Sequence, residues 1–298
     1  MIAISKKEIK ILVIKNKKPT TVSRKIVFSV IFVLFLLYAA TLIYAGVYML
    51  FVAVKTQPEY VLNKFSLPKR WLFSNFIKSF EALEVNGTNS LGMLINSLWY
   101  TVGGTLITVT CSSTLAYVVS KYKFFGRGTI YFISVIIMIL PIVGSLPASY
   151  RLITSLGINN SPLILITFAN GFGFNFIVLY GFFQSLSWSY AEAAFLDGAS
   201  DFYTFIKVMI PQALPAITSL IILSAIGTWN DYQTPLLYLG KMPTLSVGLY
   251  EFNLLMELGG DYPTLFCGMI ISTIPILLVF IIFQETIMSN TVAGGLKG

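Results

Sequence analysis

From residue 26 to residue 54 the chain runs without a single Asp, Glu, Lys or Arg. A helix crosses the hydrocarbon core of a bilayer with about 20 apolar residues, so this segment is long enough to span one. Five further uncharged runs follow, at 85–120, 128–150, 152–191, 208–230 and 262–284. None has room for two helices and a turn once polar ends such as 86–90 and 157–160 are trimmed. The expectation is six spans, near 27–52, 93–119, 129–150, 163–185, 216–239 and 264–284. Composition agrees: charged residues make up 11% and hydrophobic residues 56% of the chain, against about 25% charged in soluble domains. So few charges could not cover a water-facing surface, which excludes an ordinary soluble enzyme or a disordered chain. The fold class expected is all-α, a polytopic membrane protein with six transmembrane helices.

The formal net charge of +8 is a matter of topology. Eight of the 20 basic residues (Lys6, Lys7, Lys10, Lys15, Lys17, Lys18, Arg24 and Lys25) precede the first run. A basic stretch abutting a span marks its cytoplasmic flank. A signal peptide has a shorter apolar core, about 7–15 residues, so an uncleaved first span is expected. With the N-terminus inside, the inner segments carry 13 bases and 5 acids, and the outer ones 7 bases and 6 acids. That asymmetry places both termini in the cytoplasm. Histidine is absent, and Cys111 and Cys267 lie in apolar runs without metal-like spacing, which argues against disulfide, zinc and His-based chemistry.

Within the second span, Gly104, Thr108, Ser112 and Ala116 recur every four residues, a stripe suited to close helix packing. Pro141 and Pro147 are placed to kink or unwind the end of the third span. The stretch Gly171-Phe172-Gly173-Phe174 follows no strand and is not a dinucleotide loop. No convincing repeat relates the two halves. Asp231 is the single ionisable residue expected inside a span, and intramembrane charges default to a functional hypothesis.

The segment 187–215 carries the most information. Ser189 and Glu192 have capping-box spacing ahead of Ala193, Ala194, Phe195 and Leu196, which starts a short helix. Gly198 turns it. A second short helix is expected, with Asp201 in its first turn and Lys207 in its last. Pro211 is expected to stop it and Pro215 to open the fifth span. Such an element has two readings, an interfacial helix on lipid headgroups or a docking knob for a cytoplasmic partner.

These residues resemble a known family. Glu192-Ala193-Ala194-x-x-Asp197-Gly198-Ala199, with Phe205, Lys207, Pro211 and Pro215, is similar to the EAA loop of permease subunits of binding-protein-dependent ABC importers. Val54-Lys55-Thr56, Leu67-Pro68 and Asn75-Phe76 resemble the external loop of the carbohydrate permeases of the MalG type. Trp229-Asn230-Asp231 resembles a patch in their fifth span, and residues 294–298 their C-terminal tail. The resemblance implies a basic cytoplasmic tail at 1–25, a permease domain at 26–288 with its coupling loop at 187–215, and a cytoplasmic tail at 289–298.

The resemblance further implies that Glu192, Ala193, Ala194, Asp197, Gly198, Ala199 and Phe205 couple the chain to an ATPase subunit in a bacterial cell membrane. The partners implied are a second permease subunit, two ATP-binding subunits and an extracytoplasmic sugar-binding protein. No cofactor would be bound directly. The chain lacks a Gly-x-x-x-x-Gly-Lys-Ser/Thr loop, so ATP and magnesium would sit on the ATPase partners and the chain would not itself be an enzyme. Trp229, Asn230, Asp231, Tyr232 and Gln233 are the candidates for lining the translocation path, with Asp231 at the outer helix end or in a subunit interface as the alternative. A secondary transporter or a channel subunit not driven by ATP is the competing function; it would be expected to carry internal repeats and more than one buried charge.

Overall fold

The computed structural model describes residues 22–140, 144–257 and 259–295. Most of the expected basic tail, Pro141 and the last three residues therefore lie outside the described residues. The first long helix is α1 (Val22–Ala53). It is apolar on every side, and its side chains from residue 24 to residue 47 are exposed within this chain. Its C-terminal end is anchored, where Tyr48 meets Phe266 edge-on at 6.2 Å and the Cys267 thiol donates to the Ala53 carbonyl at 3.2 Å.

The segment that follows holds α2 (Gln57–Leu62), α3 (Ser74–Ala82) and a small hairpin of β1 (Glu84–Val85) and β2 (Thr88–Asn89). Asn86 and Gly87 turn the hairpin with φ of 51° and 79°, the left-handed pair that Asn-Gly adopts readily. The motif residues of this segment converge on the end of α1. The buried Asn75 amide donates to the carbonyls of Ala53 at 2.9 Å and Lys55 at 2.8 Å, satisfying groups that a helix end leaves without intrahelical partners. Lys55, only 1% exposed, donates to the carbonyls of Asn63 and Lys64 and to the Ser66 hydroxyl at 3.2–3.4 Å. A buried ammonium needs such oxygens, because stripping its water without replacement costs several kcal/mol.

Helix α4 (Ser90–Lys121) is the central post, and α5 (Arg127–Ile139), α6 (Leu146–Ser155), a 3-10 turn (Pro162–Phe168) and α7 (Phe174–Ser185) follow. Next come α8 (Ser189–Leu196), α9 (Asp201–Thr204), a π turn (Phe205–Met209), α10 (Ile210–Asn230), α11 (Gln233–Tyr238), α12 (Leu245–Glu257) and α13 (Tyr262–Gly295). The small-residue stripe faces the segment before α7. A side chain at Gly104 would meet the Phe168 ring at 3.1 Å, and the Thr108 hydroxyl donates to the Phe168 carbonyl at 3.3 Å. Below it, Ser112 and Ala116 are fully buried. Tyr117, Phe176, Leu179, Phe183, Met209 and Ala213 close a core between α4, α7 and α10.

Among the described residues, four helical stretches are long and apolar enough to cross a membrane: Arg24–Ala53, Ser90–Lys121, Asp201–Asn230 and Tyr262–Glu285. The two intervening spans expected from the sequence are not single helices. The third ends at Ile139, and Leu140, which precedes Pro141, is extended at φ −80° and ψ 117°. Proline disfavours the helical region for the residue before it. The fourth is a 3-10 turn and a helix, separated at 169–173. There Gly171 lies so close to α4 that a Cβ would sit 2.9 Å from Leu115, Gly173 takes a φ of +94°, and its N–H donates to the buried Ser134 hydroxyl at 3.0 Å.

Candidate functional site: the α8–α9 loop and the α10–α11 break

Helix α8 begins at the expected residue by a different device. Trp188 occupies the cap position without a side-chain hydrogen bond. The Ser189 hydroxyl is engaged with that of Ser187 at 2.7 Å, and the Ser187 hydroxyl accepts the Ser189 N–H. The capping box expected between Ser189 and Glu192 does not form, because Ser189 is already the first helical residue and Trp188 holds the cap position. Helix α8 stops at Leu196, and Gly198 turns the chain with a φ of +82°. No other atom lies within 4 Å of the place a Cβ would occupy there, so conformation alone makes glycine the suitable residue. Ser200 then caps α9 by accepting the Tyr203 N–H at 3.3 Å.

The second helix is not short. Asp201–Asn230 runs on as one helix through Pro211 and Pro215. The π turn accommodates this: Ile210 donates to the Phe205 carbonyl, one residue further back than in an α-helix, and such a bulge can re-satisfy backbone groups that a proline frees. Around the Gly198 turn, Glu192, Ala193 and Asp197 are exposed, and Ala194 and Ala199 are half-buried. Leu196 is 89% exposed, an isolated apolar knob at the tip. Phe205 differs from the rest of the proposed set. It faces inward and stacks on Tyr117 at 4.7 Å, where it holds the loop against α4.

The end of α4 grips this loop through polar contacts that sequence reasoning missed. The Lys121 ammonium donates to the Leu186 carbonyl at 2.6 Å. The Tyr122 phenol donates to Asp201 Oδ1, also at 2.6 Å. Burial, reinforced by the Asp201 carboxylate, pushes the Tyr122 phenol far above its ordinary range, so it remains a donor. The Tyr122 ring meets Tyr117 and Trp188 edge-on, each at 5.7 Å. No local pattern pairs positions 122 and 201, which stand 79 residues apart.

The second candidate region differs from its expectation. Asp231 does not lie within a helix; it sits in the break where α10 ends and α11 begins, with extended backbone at φ −68° and ψ 109°. Its carboxylate is occupied internally. Oδ2 accepts the phenol of Tyr100 at 2.9 Å, and Oδ1 accepts the Thr234 N–H at 3.1 Å, in the manner of a helix cap. Its backbone carbonyl accepts the Ser246 hydroxyl at 2.7 Å. Trp229 is buried, with its indole N–H donating to the Ser272 carbonyl of α13 at 3.1 Å. Asn230, Tyr232 and Gln233 are exposed, and Tyr232 stacks on Tyr250 at 4.6 Å. A half-open cleft of about 400 Å³ adjoins this break, with Thr234, Tyr238, Ser149 and Thr167 on its walls.

Residues 108–290 match the family described as the binding-protein-dependent transport system inner membrane component. The probable ABC transporter permease protein YurM of Bacillus subtilis is 30% identical over 275 residues, 90% of this chain and 88% of that protein. The diacetylchitobiose uptake system permease protein NgcG of Streptomyces coelicolor is 26% identical over 265 residues, covering 88% and 86% respectively. Among solved structures, a chain of a bacterial ABC transporter involved in the import of the acidic polysaccharide alginate superposes with a TM-score of 0.72. Its identity is 26%, and the match covers 89% of this chain and 98% of that one. The loop, the long helices and these matches together establish that the chain belongs to the family of inner membrane components of binding-protein-dependent transport systems, the permeases of ABC importers.

Proposed function

We propose that this chain forms half of the translocation pathway of an ATP-driven importer for a sugar or oligosaccharide, and that the Gly198 turn docks an ATPase subunit. Diacetylchitobiose and alginate, the cargoes named for two of its relatives, are both carbohydrates. In this reading the chain crosses the membrane six times with both termini in the cytoplasm. The two broken segments, α5–α6 and the 3-10 turn with α7, supply the third and fourth crossings. A broken crossing is tolerated where it lies against protein or lines a cavity.

The single observation that carries the docking assignment is the exposed set Glu192, Ala193, Leu196 and Asp197 around the left-handed Gly198. Small alanines permit close approach, the acids can pair with basic residues, and Leu196 offers an apolar anchor. A second permease chain completes the pathway, two ATP-binding subunits hold ATP and magnesium and do the hydrolysis, and an extracytoplasmic binding protein delivers the sugar. Closure of the ATPase pair then moves the helices attached to the loop as rigid bodies. Asn230, Tyr232 and Gln233 offer hydrogen-bonding groups and a ring face to the cargo.

The test is reconstitution of the assembled importer with Gly198→Pro or Glu192→Lys in this chain. Both variants should insert normally, and sugar moved per ATP hydrolysed should fall at least tenfold, about what one lost charged contact in a docked interface costs. Wild-type uptake in both would overturn the docking assignment.

A further inference from the structure

The α8–α9 loop has more than the two covalent attachments that its flanking helices provide. Its third attachment is the end of α4. There, the Tyr122 phenol reaches Asp201 at 2.6 Å, the Lys121 ammonium holds the Leu186 carbonyl at 2.6 Å, and Tyr122 packs between Tyr117 and Trp188. Trp188 in turn packs on Phe195 of α8 at 5.9 Å. The contact thus reaches both arms of the loop, α8 through the aromatic rings and α9 through Asp201. Helix α4 is also the helix on which α7 and α10 pack. A loop free to pivot on its flanks would lose part of any push before it reached this helix.

We infer that the Tyr122–Asp201 hydrogen bond is a strut that makes the inner end of α4 move with the α8–α9 loop, so that Tyr122 and Asp201 are positioning residues for coupling. The inference rests on the docking assignment for its role in transport, while the strut itself is a property of this chain. Tyr122→Phe isolates it. The ring and its packing on Tyr117 and Trp188 are retained, and only the donor is removed. Asp201→Asn keeps an acceptor oxygen, and Asp201→Leu does not.

The experiment is a spin-label distance measurement between positions 123 and 190, both exposed, in the assembled importer in nanodiscs, without nucleotide and with magnesium ATP and vanadate. The background has Cys111 and Cys267 replaced by alanine. Wild type and Asp201→Asn should give one narrow distance in both states. Tyr122→Phe and Asp201→Leu should each raise the ratio of detached to attached loop about tenfold, as expected for loss of a charge-assisted bond, and the double variant should raise it no further. A single narrow distance in Tyr122→Phe would overturn the strut. The docking assignment is read separately, from retention of the ATPase subunit and the coupling ratio in Glu192→Lys; its failure would leave the distance result intact and remove only the strut's role in transport.

Discussion

Asp231 illustrates how far a residue type carries an argument. An acid in an apolar stretch signals function, because an intramembrane charge is costly. Its neighbours decide which function. Here the carboxylate accepts from Tyr100, itself 1% exposed, and from the Thr234 N–H, so it fastens the α10–α11 break to α4. Asp231→Ala should leave the buried phenol and the first turn of α11 without their acceptor, costing about 1–3 kcal/mol. Asp231→Asn, which retains a capping oxygen, should cost less. Thermal unfolding of the detergent-solubilised chain checks both, and equal melting temperatures for wild type and Asp231→Ala would refute the anchor role. Trp229 makes the same point from the other side. Expected among the residues lining the path, it is buried and its indole N–H is bonded to α13, while Asn230, Tyr232 and Gln233 are exposed.

At the scale of elements, uncharged runs located α1, α4 and α13, because about 20 apolar residues in a row have few alternatives in a bilayer. The fifth span, expected at 216–239, instead begins earlier and ends at Asn230. The runs failed at the breaks. Leu140 before Pro141 carried a local signal for a helix end. The Gly171-Phe172-Gly173 stretch carried a weaker one, since glycines in a span also serve packing. Pro211 misled in the opposite direction, because the π turn let the helix continue through it. The hairpin at Asn86-Gly87 was legible from that dipeptide, yet falls within polar residues trimmed from a span. The small-residue stripe yields a prediction. Gly104→Leu would push a side chain into the Phe168 ring, already 3.1 Å from a Cβ at that place. Overpacking of this kind costs about 1–3 kcal/mol, and a melting temperature lowered by several degrees should report it. Unchanged stability would mean that the 3-10 turn does not depend on close approach to α4.

At the scale of the whole molecule, the chain leaves one long apolar helix uncovered by its own residues. Helix α1 exposes apolar side chains on all sides from residue 24 to residue 47, and only lipid or another apolar protein surface can cover it in a membrane. The exposed Leu196 tip lies beside the acids Glu192 and Asp197. The proposed importer assembly predicts that purification of the tagged chain in mild detergent recovers a second permease subunit and an ATP-binding subunit. Recovery of a functional homodimer without an ATPase would refute the importer assembly. A loop substitution such as Glu192→Lys should weaken recovery of the ATPase and leave that of the second permease unchanged.

Composition and charge spacing by themselves determined that the chain is a helical membrane protein, since hydrocarbon admits few charges and no unpaired backbone. The resemblance of residues 192–199 to the EAA loop pointed to the family, and the matches established it. Tertiary structure alone decided what each of the singled-out side chains does. Asp231 became an anchor, Phe205 an inward wedge, and Tyr122 the partner of Asp201, each through contacts with residues distant in sequence. Local patterns record the solvent a segment must satisfy, whereas the partner of a buried hydroxyl or carboxylate is set by which helices the fold brings within about 3 Å of it.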